Sequence, residues 1–197
     1  MPWGMTDTGF SVPSNARQRI SAMYGHPDIA THTFSQALEA WTKGFNERID
    51  VETTYPADNT HSFARGGHGL FSTAGDYMRF AHMLANRGSL DGVRILAPAI
   101  VHFMHMNHVS PALLPFEIGG IPRNGYGFGL GSRVLLNVPE SAVPGSIGEY
   151  GWAGAAKTYF WIDPKEQLVG ILMAQFMLAF DLPEKPFQVL AYQALVD

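Results

Sequence analysis

The chain has 197 residues, 13 Lys+Arg against 17 Asp+Glu, no Cys and 46% hydrophobic residues. That length suits one domain of ordinary size or a large part of a bigger one, and the apolar share excludes wholesale disorder. A net charge of −4 argues against a nucleic-acid or anionic-membrane footprint, and the missing Cys excludes disulfides, zinc–thiolate sites and thiol nucleophiles.

No apolar run of about 18 residues is present to span a membrane. The opening Met1-Pro2-Trp3-Gly4-Met5 has neither the basic start nor the apolar stretch of a signal peptide. Residues 1–64 are cut into short pieces by Pro13, Pro27 and Pro56. Within them Phe34, Leu38 and Trp41 share a helical face and Gly44 supplies a stop, which predicts a helix over 34–43. Thr73 followed by Asp76 is a capping-box pattern, and Tyr77, Phe80, Ala81 and Leu84 repeat at helical spacing. A helix over 73–87 is expected, with Gly88 taking the left-handed position that ends it. Asp91-Gly92 reads as a turn, and Pro98 opens a second helix through 106.

The period then changes. Tyr126-Gly127-Phe128-Gly129-Leu130-Gly131 alternates large and absent side chains, as a strand does when one face presses on another backbone. Residues 158–162 are β-branched and aromatic, Asp163-Pro164-Lys165-Glu166 is a turn, and 168–177 is an almost continuous apolar run. A hairpin joins them. Phe187, Leu190, Ala191 and Ala194 give a short amphipathic helix that closes the chain. The fold class expected is α+β, an antiparallel sheet flanked by helices.

Candidate chemistry narrows by elimination. His102, His105 and His108 are spaced by three, so on a helix the outer two diverge by about 120° and cannot share one ion unless the helix ends there. Helix-end histidines near the C-terminal dipole are the better reading, and no metal site is expected. Gly66-Gly67-His68-Gly69-Leu70 lacks the spacing and the Lys-Ser/Thr of a phosphate loop, and reads as a tight turn. A Ser activated by Lys needs Ser-x-x-Lys, yet three positions before Lys43, Lys157, Lys165 and Lys185 stand Ala40, Gly154, Ile162 and Leu182. Gly-x-Ser-x-Gly is absent, as is any Tyr with Ser or Asn two residues later. The chain contains no recognisable nucleophile–base pair.

Three segments nevertheless carry a resemblance. Pro2-Trp3-Gly4-Met5-Thr6-Asp7-Thr8 resembles one element of the serine β-lactamase-like superfamily, which includes class C β-lactamases, esterases, D-aminopeptidases and penicillin-binding proteins. Gly66 through Leu84 and Gly151-Trp152-Ala153-Gly154-Ala155, with Tyr159 to Pro164, are similar to two later elements in the same order. The resemblance implies an acyl-serine mechanism acting on an ester, β-lactam or D-amino-acid amide, with no cofactor. Trp152, Ala153 and Gly154 would then be the third active-site element, and Ala155 N–H one of the two oxyanion-hole donors. Tyr150 and His68 would line the substrate. Trp152 in place of Lys leans towards esters, because an indole offers an apolar face and a single N–H.

Bland readings stand beside these: Trp152 as a core aromatic, Gly151 and Gly154 as marks of a bulge, His68 as a surface residue. In relatives the Ser-x-x-Lys and Tyr-x-Asn/Ser elements precede the segment at residues 2–8. The expectation is therefore that residues 1–197 form the C-terminal part of one β-lactamase-like domain, inactive alone, with partners limited to the substrate and the missing N-terminal portion. Self-association at an exposed sheet edge is the alternative to that portion, and a non-catalytic binding module is the alternative function.

Overall fold

The computed structural model describes residues 3–25, 48–49, 66–67, 69–118, 120–177 and 184–196. The helix expected over 34–43 lies outside them. In chain order the elements are β1 (Met23–Gly25), β2 (Arg48–Ile49), α1 (Ala74–Ala85), β3 (Ser89–Leu90), β4 (Val93–Arg94), α2 (Pro98–Met104), β5 (Glu117–Ile118) and β6 (Ile121–Pro122). Then follow β7 (Tyr126–Phe128), β8 (Arg133–Leu135), α3 (Val138–Ser141), β9 (Tyr150–Ala153), β10 (Thr158–Asp163), β11 (Leu168–Met173), β12 (Phe176–Met177) and α4 (Glu184–Gln193).

Helix α1 begins as its cap dictates. The Thr73 side chain accepts from Asp76 N–H. The reciprocal half of the capping box does not form, because the Asp76 carboxylate is taken by Asp7 N–H and Thr8 Oγ1, each at 2.8 Å. With the paired Gly9 and Phe71 backbones, this clamps the first motif segment onto the second. Gly88 takes a left-handed conformation at the end of α1 as expected, φ 90°, and Arg87 before it does so too, φ 53°. Arg87 N–H bonds Leu84 O and Gly88 N–H bonds Met83 O, which completes a Schellman end. Gly88 is still required, since a Cβ there would overlap Leu96 O. Helix α2 stops at Met104, two residues short of the expected end.

Five antiparallel strands form the main sheet in the order β11-β10-β9-β8-β7. Period-2 alternation divides it into two faces. Phe160, Ile162, Tyr150 and Val134 pack with Ala81, Met83 and Leu84 in the buried cluster beneath α1. Each such large side chain contributes about 1.5–3 kcal/mol by leaving water. Tyr159 and Trp161 turn the other way and meet Gln188 and Phe187 of α4. The result is an α+β layer with helices on both faces of an antiparallel sheet.

Three expectations need correction. The strand expected over 126–131 ends at Phe128, because Gly131 at φ 113° turns the chain into β8. Close backbone approach holds at Gly129 alone, where a Cβ would overlap Met104 O; at Gly127 it would overlap the Asn107 side chain, and at Gly131 it meets nothing. The apolar run 168–177 breaks after Met173, and β12 pairs in parallel with β1 in a separate three-stranded sheet. Helix α4 starts at Glu184; its buried residue is Gln188, while Leu190 is 62% exposed.

Candidate functional site

Strand β9 is supported unequally along its length. β10 runs opposite all four residues, whereas β8 pairs only with Gly151 and Tyr150. Trp152 and Ala153 therefore have no β8 neighbour. Gly154 N–H donates to Thr158 O at 2.7 Å, and Lys157 N–H donates to Gly154 O at 3.0 Å. Ladder alternation then turns the Ala153 N–H and C=O away from β10, towards the open side.

The turn itself follows from these bonds. Among residues 155–157 only Lys157 has a positive φ, 71°, so Ala155 and Ala156 form a type I turn closed by a bulge at Lys157. Phe176 N–H on Ala156 O (3.0 Å) and Ala174 N–H on Lys157 O (3.3 Å) hold it from behind. Ala155 is exposed, and its N–H has no hydrogen-bond partner among the described residues. Two glycines permit this geometry. A Cβ on Gly154 would overlap Thr158 Oγ1, and one on Gly151 would overlap Phe160 O and press on Arg133 Nη1.

Trp152 is half-buried opposite Phe160, and its ring lies edge-to-face with Phe128 at 5.0 Å. Phe128 in turn meets Phe116 at 5.7 Å. Ala153 is exposed beside them. Tyr150 is only 4% exposed and stacks on His105, ring centroids 3.6 Å apart. Burial pushes the Tyr150 phenol up, so it stays protonated. It also pulls His105 down to about 4, leaving a neutral imidazole whose Nδ1 lies 2.9 Å from Ser132 Oγ. His68 lies outside the described residues. Ser72 is exposed, 2.8 Å from Thr8 Oγ1. His108 bonds Phe103 O beyond the end of α2, and no group of His, Asp and Glu suited to a metal occurs among the described residues.

Sequence reasoning missed the support beneath the site. Arg133, from β8, pairs with Glu149 at 2.7 Å and donates to Tyr159 OH at 2.7 Å. Tyr159 OH donates to Gln188 Oε1, and Gln188 Nε2 returns to Glu149 Oε2 at 2.7 Å, closing a ring of four side chains. Burial pushes the Glu149 carboxyl up, and the guanidinium beside it pulls part of the way back. In the sequence Phe128 stands out only as part of a glycine alternation, and Lys157 only as a lysine without a serine three positions earlier.

The segment at 7–9 is thus bonded to 71–76, and the helix that follows packs through Tyr77 on Phe160 of β10, the strand paired with β9. A family model described as Beta-lactamase matches residues 1–193. The chain belongs to the Beta-lactamase family. An uncharacterized protein of Mycobacterium tuberculosis is 33% identical over 179 residues, 88% of this chain and 40% of that protein. The lovastatin esterase of Penicillium rubens is 32% identical over 134 residues, 60% of this chain and 31% of the esterase. Among solved structures, EstCE1, described as a hydrolase with promiscuous acyltransferase activity, superposes with a TM-score of 0.69 at 21% identity. That match covers 95% of this chain and 46% of EstCE1, and it establishes the shared fold. The chain spans less than half the length of the relatives it matches. No helix among the described residues is long and apolar enough to cross a membrane.

Proposed function

We propose that residues 150–157 form one wall of an acyl-transfer site acting on an ester, with Ala155 N–H donating to the oxyanion. Trp152, Ala153 and Gly154 flank the bound acyl group and Tyr150 holds the strand from beneath, while His68 stays a candidate substrate contact on the family resemblance alone. The observation that carries this is the Ala155 amide, without a partner among the described residues, on an exposed turn immediately beyond the half of β9 that β8 leaves uncovered. An N–H held by a closed hairpin needs no reorganisation as negative charge develops on a carbonyl oxygen. The lovastatin esterase among the relatives supports an ester over a β-lactam or D-amino-acid amide.

No Ser-x-x-Lys occurs within these 197 residues, so the reading requires a nucleophilic hydroxyl from other polypeptide. On the same reading β11, the edge strand of the main sheet among the described residues, takes a strand from that polypeptide or from a second copy. The absent nucleophile also supports a second reading, a non-catalytic binding module of the same fold.

The genomic frame upstream of Met1 separates the two. If it encodes Ser-x-x-Lys and Tyr-x-Asn/Ser, its product is expected to hydrolyse p-nitrophenyl butyrate and to label with a fluorophosphonate. In that product Ala155→Pro removes the amide while keeping the turn, because Pro suits the first central position of a type I turn. A loss of about 10²–10³ in kcat, with Tm unchanged, is expected. A folded product that neither labels nor turns over establishes the binding module instead, and full activity in Ala155→Pro overturns the oxyanion role.

A further inference from the structure

We infer that Trp152, Phe128 and Phe116 form an apolar wall that selects esters carrying a bulky uncharged group next to the carbonyl; this rests on the reading of Ala155 above. The three rings come from three separate segments, β9, β7 and the stretch before β5, yet they stand in one edge-to-face row with steps of 5.0 and 5.7 Å. All three are half-buried. Neither Phe116 nor Phe128 belongs to the core cluster under α1, which Trp152 joins only from its margin. The row begins where β9 loses its β8 neighbour, three residues before the open amide.

The surroundings extend the apolar character. Leu130, on the turn after β7, is 53% exposed, and Ile118 and Ile121 face each other across the β5–β6 hairpin at 38% and 43%. None of the three rings carries a charge, and the only polar atom among them is the Trp152 indole N–H. A charged group laid along this row sheds water and gains no counter-ion from the rings themselves; Arg123, whose N–H bonds Phe116 O at 2.9 Å, and Lys157 of the turn are the cations of the adjoining segments. A hydrocarbon chain there covers aromatic surface already half withdrawn from solvent.

The test is a titration of the full chain, followed by 1H–15N NMR, with ethyl acetate, ethyl butyrate and ethyl hexanoate, and with hexanoate anion as the charged control. Affinity is expected to rise about three- to fourfold per added methylene, with the Trp152 indole N–H shifting. Hexanoate anion is expected to bind more weakly than ethyl hexanoate. Phe128→Ala should flatten the chain-length series; Phe116→Ala, on a loop outside the core, is the second variant should Phe128→Ala not fold. A flat series in the unsubstituted protein, a series unchanged in a folded variant, or tighter binding of the anion overturns the wall. The two readings fail separately: a shifting indole with a silent Ala155 amide sinks the oxyanion role and leaves the wall standing. A shifting amide with no chain-length dependence does the reverse.

Discussion

The two faces of the main sheet are built on opposite principles. Under α1 the buried side chains are Phe160, Ile162, Val134, Ala81, Met83 and Leu84, an apolar cluster whose attraction has no direction. Under α4 the sheet presents Arg133, Tyr159 and Asp163, and the helix answers with Gln188 and Tyr192. Asp163, fully buried, accepts from Ser146 N–H at 2.9 Å, Tyr192 OH at 2.7 Å and Lys165 N–H at 3.0 Å. The first face tolerates rearrangement. The second specifies one register and one helix position, because each member leaves another unpaired if it moves.

A matched pair of conservative substitutions sharpens that contrast. Glu149→Gln keeps shape but leaves the Arg133 charge buried without its partner, and is expected to cost about 3–5 kcal/mol. Phe160→Leu, on the apolar face, is expected to cost about 1.5 kcal/mol as neighbours repack. Urea denaturation of both variants measures the difference. Equal losses would mean that the polar ring is no more specifying than the hydrophobic cluster.

The apolar side also holds His105, stacked on Tyr150, and its titration gives a smaller effect. His105 is held neutral down to about pH 4, whereas in an unfolded chain it protonates near its ordinary 6.5. Between those values the unfolded state binds more protons, so stability is constant above about pH 6.5 and falls as pH drops towards 4. With its partial exposure allowed for, the loss is about 2 kcal/mol. His105→Phe keeps a ring on Tyr150 and should remove that part of the pH slope. Denaturation at pH 7 and pH 4.5 checks it, and an undiminished slope in the variant would assign the effect to another group.

How far the sequence could be read follows from the same division. α1 was legible because its stripe Tyr77, Phe80, Ala81, Leu84 is periodic and its cap is local. β10 was legible from five consecutive β-branched or aromatic residues. β8 was not, since three residues containing an arginine carry no alternation, and what makes Arg133 a strand residue is Glu149 sixteen positions away. The break at Ala174 was hidden for a similar reason: β12 is defined by pairing with β1, some 150 residues earlier, which no local pattern encodes. At the proposed site, Trp152 and Ala155 came forward through the family resemblance alone. Phe116 and Lys157 were missed because a wall ring and a left-handed turn residue become visible only in three dimensions.

Lys157 gives the smallest and most informative test. Its φ of 71° places a side chain where glycine is favoured, at a cost of about 1–2 kcal/mol. Burial pulls its amine down, the charge of Glu184 on α4 pushes it back up, and Arg123 pulls it down further. The lysine is therefore a half-buried charge, held in a left-handed backbone conformation and only partly compensated by Glu184. Lys157→Gly removes the strain but gives the unfolded chain more freedom, which offsets about half the gain. A net stabilisation of about 0.5–1 kcal/mol is expected in thermal denaturation, with the affinity for ethyl hexanoate unchanged because the aromatic row is uncharged. A variant that gains stability but loses ester affinity would show that the strain is kept for ligand contact, and would draw the boundary of the site across the turn rather than along β9.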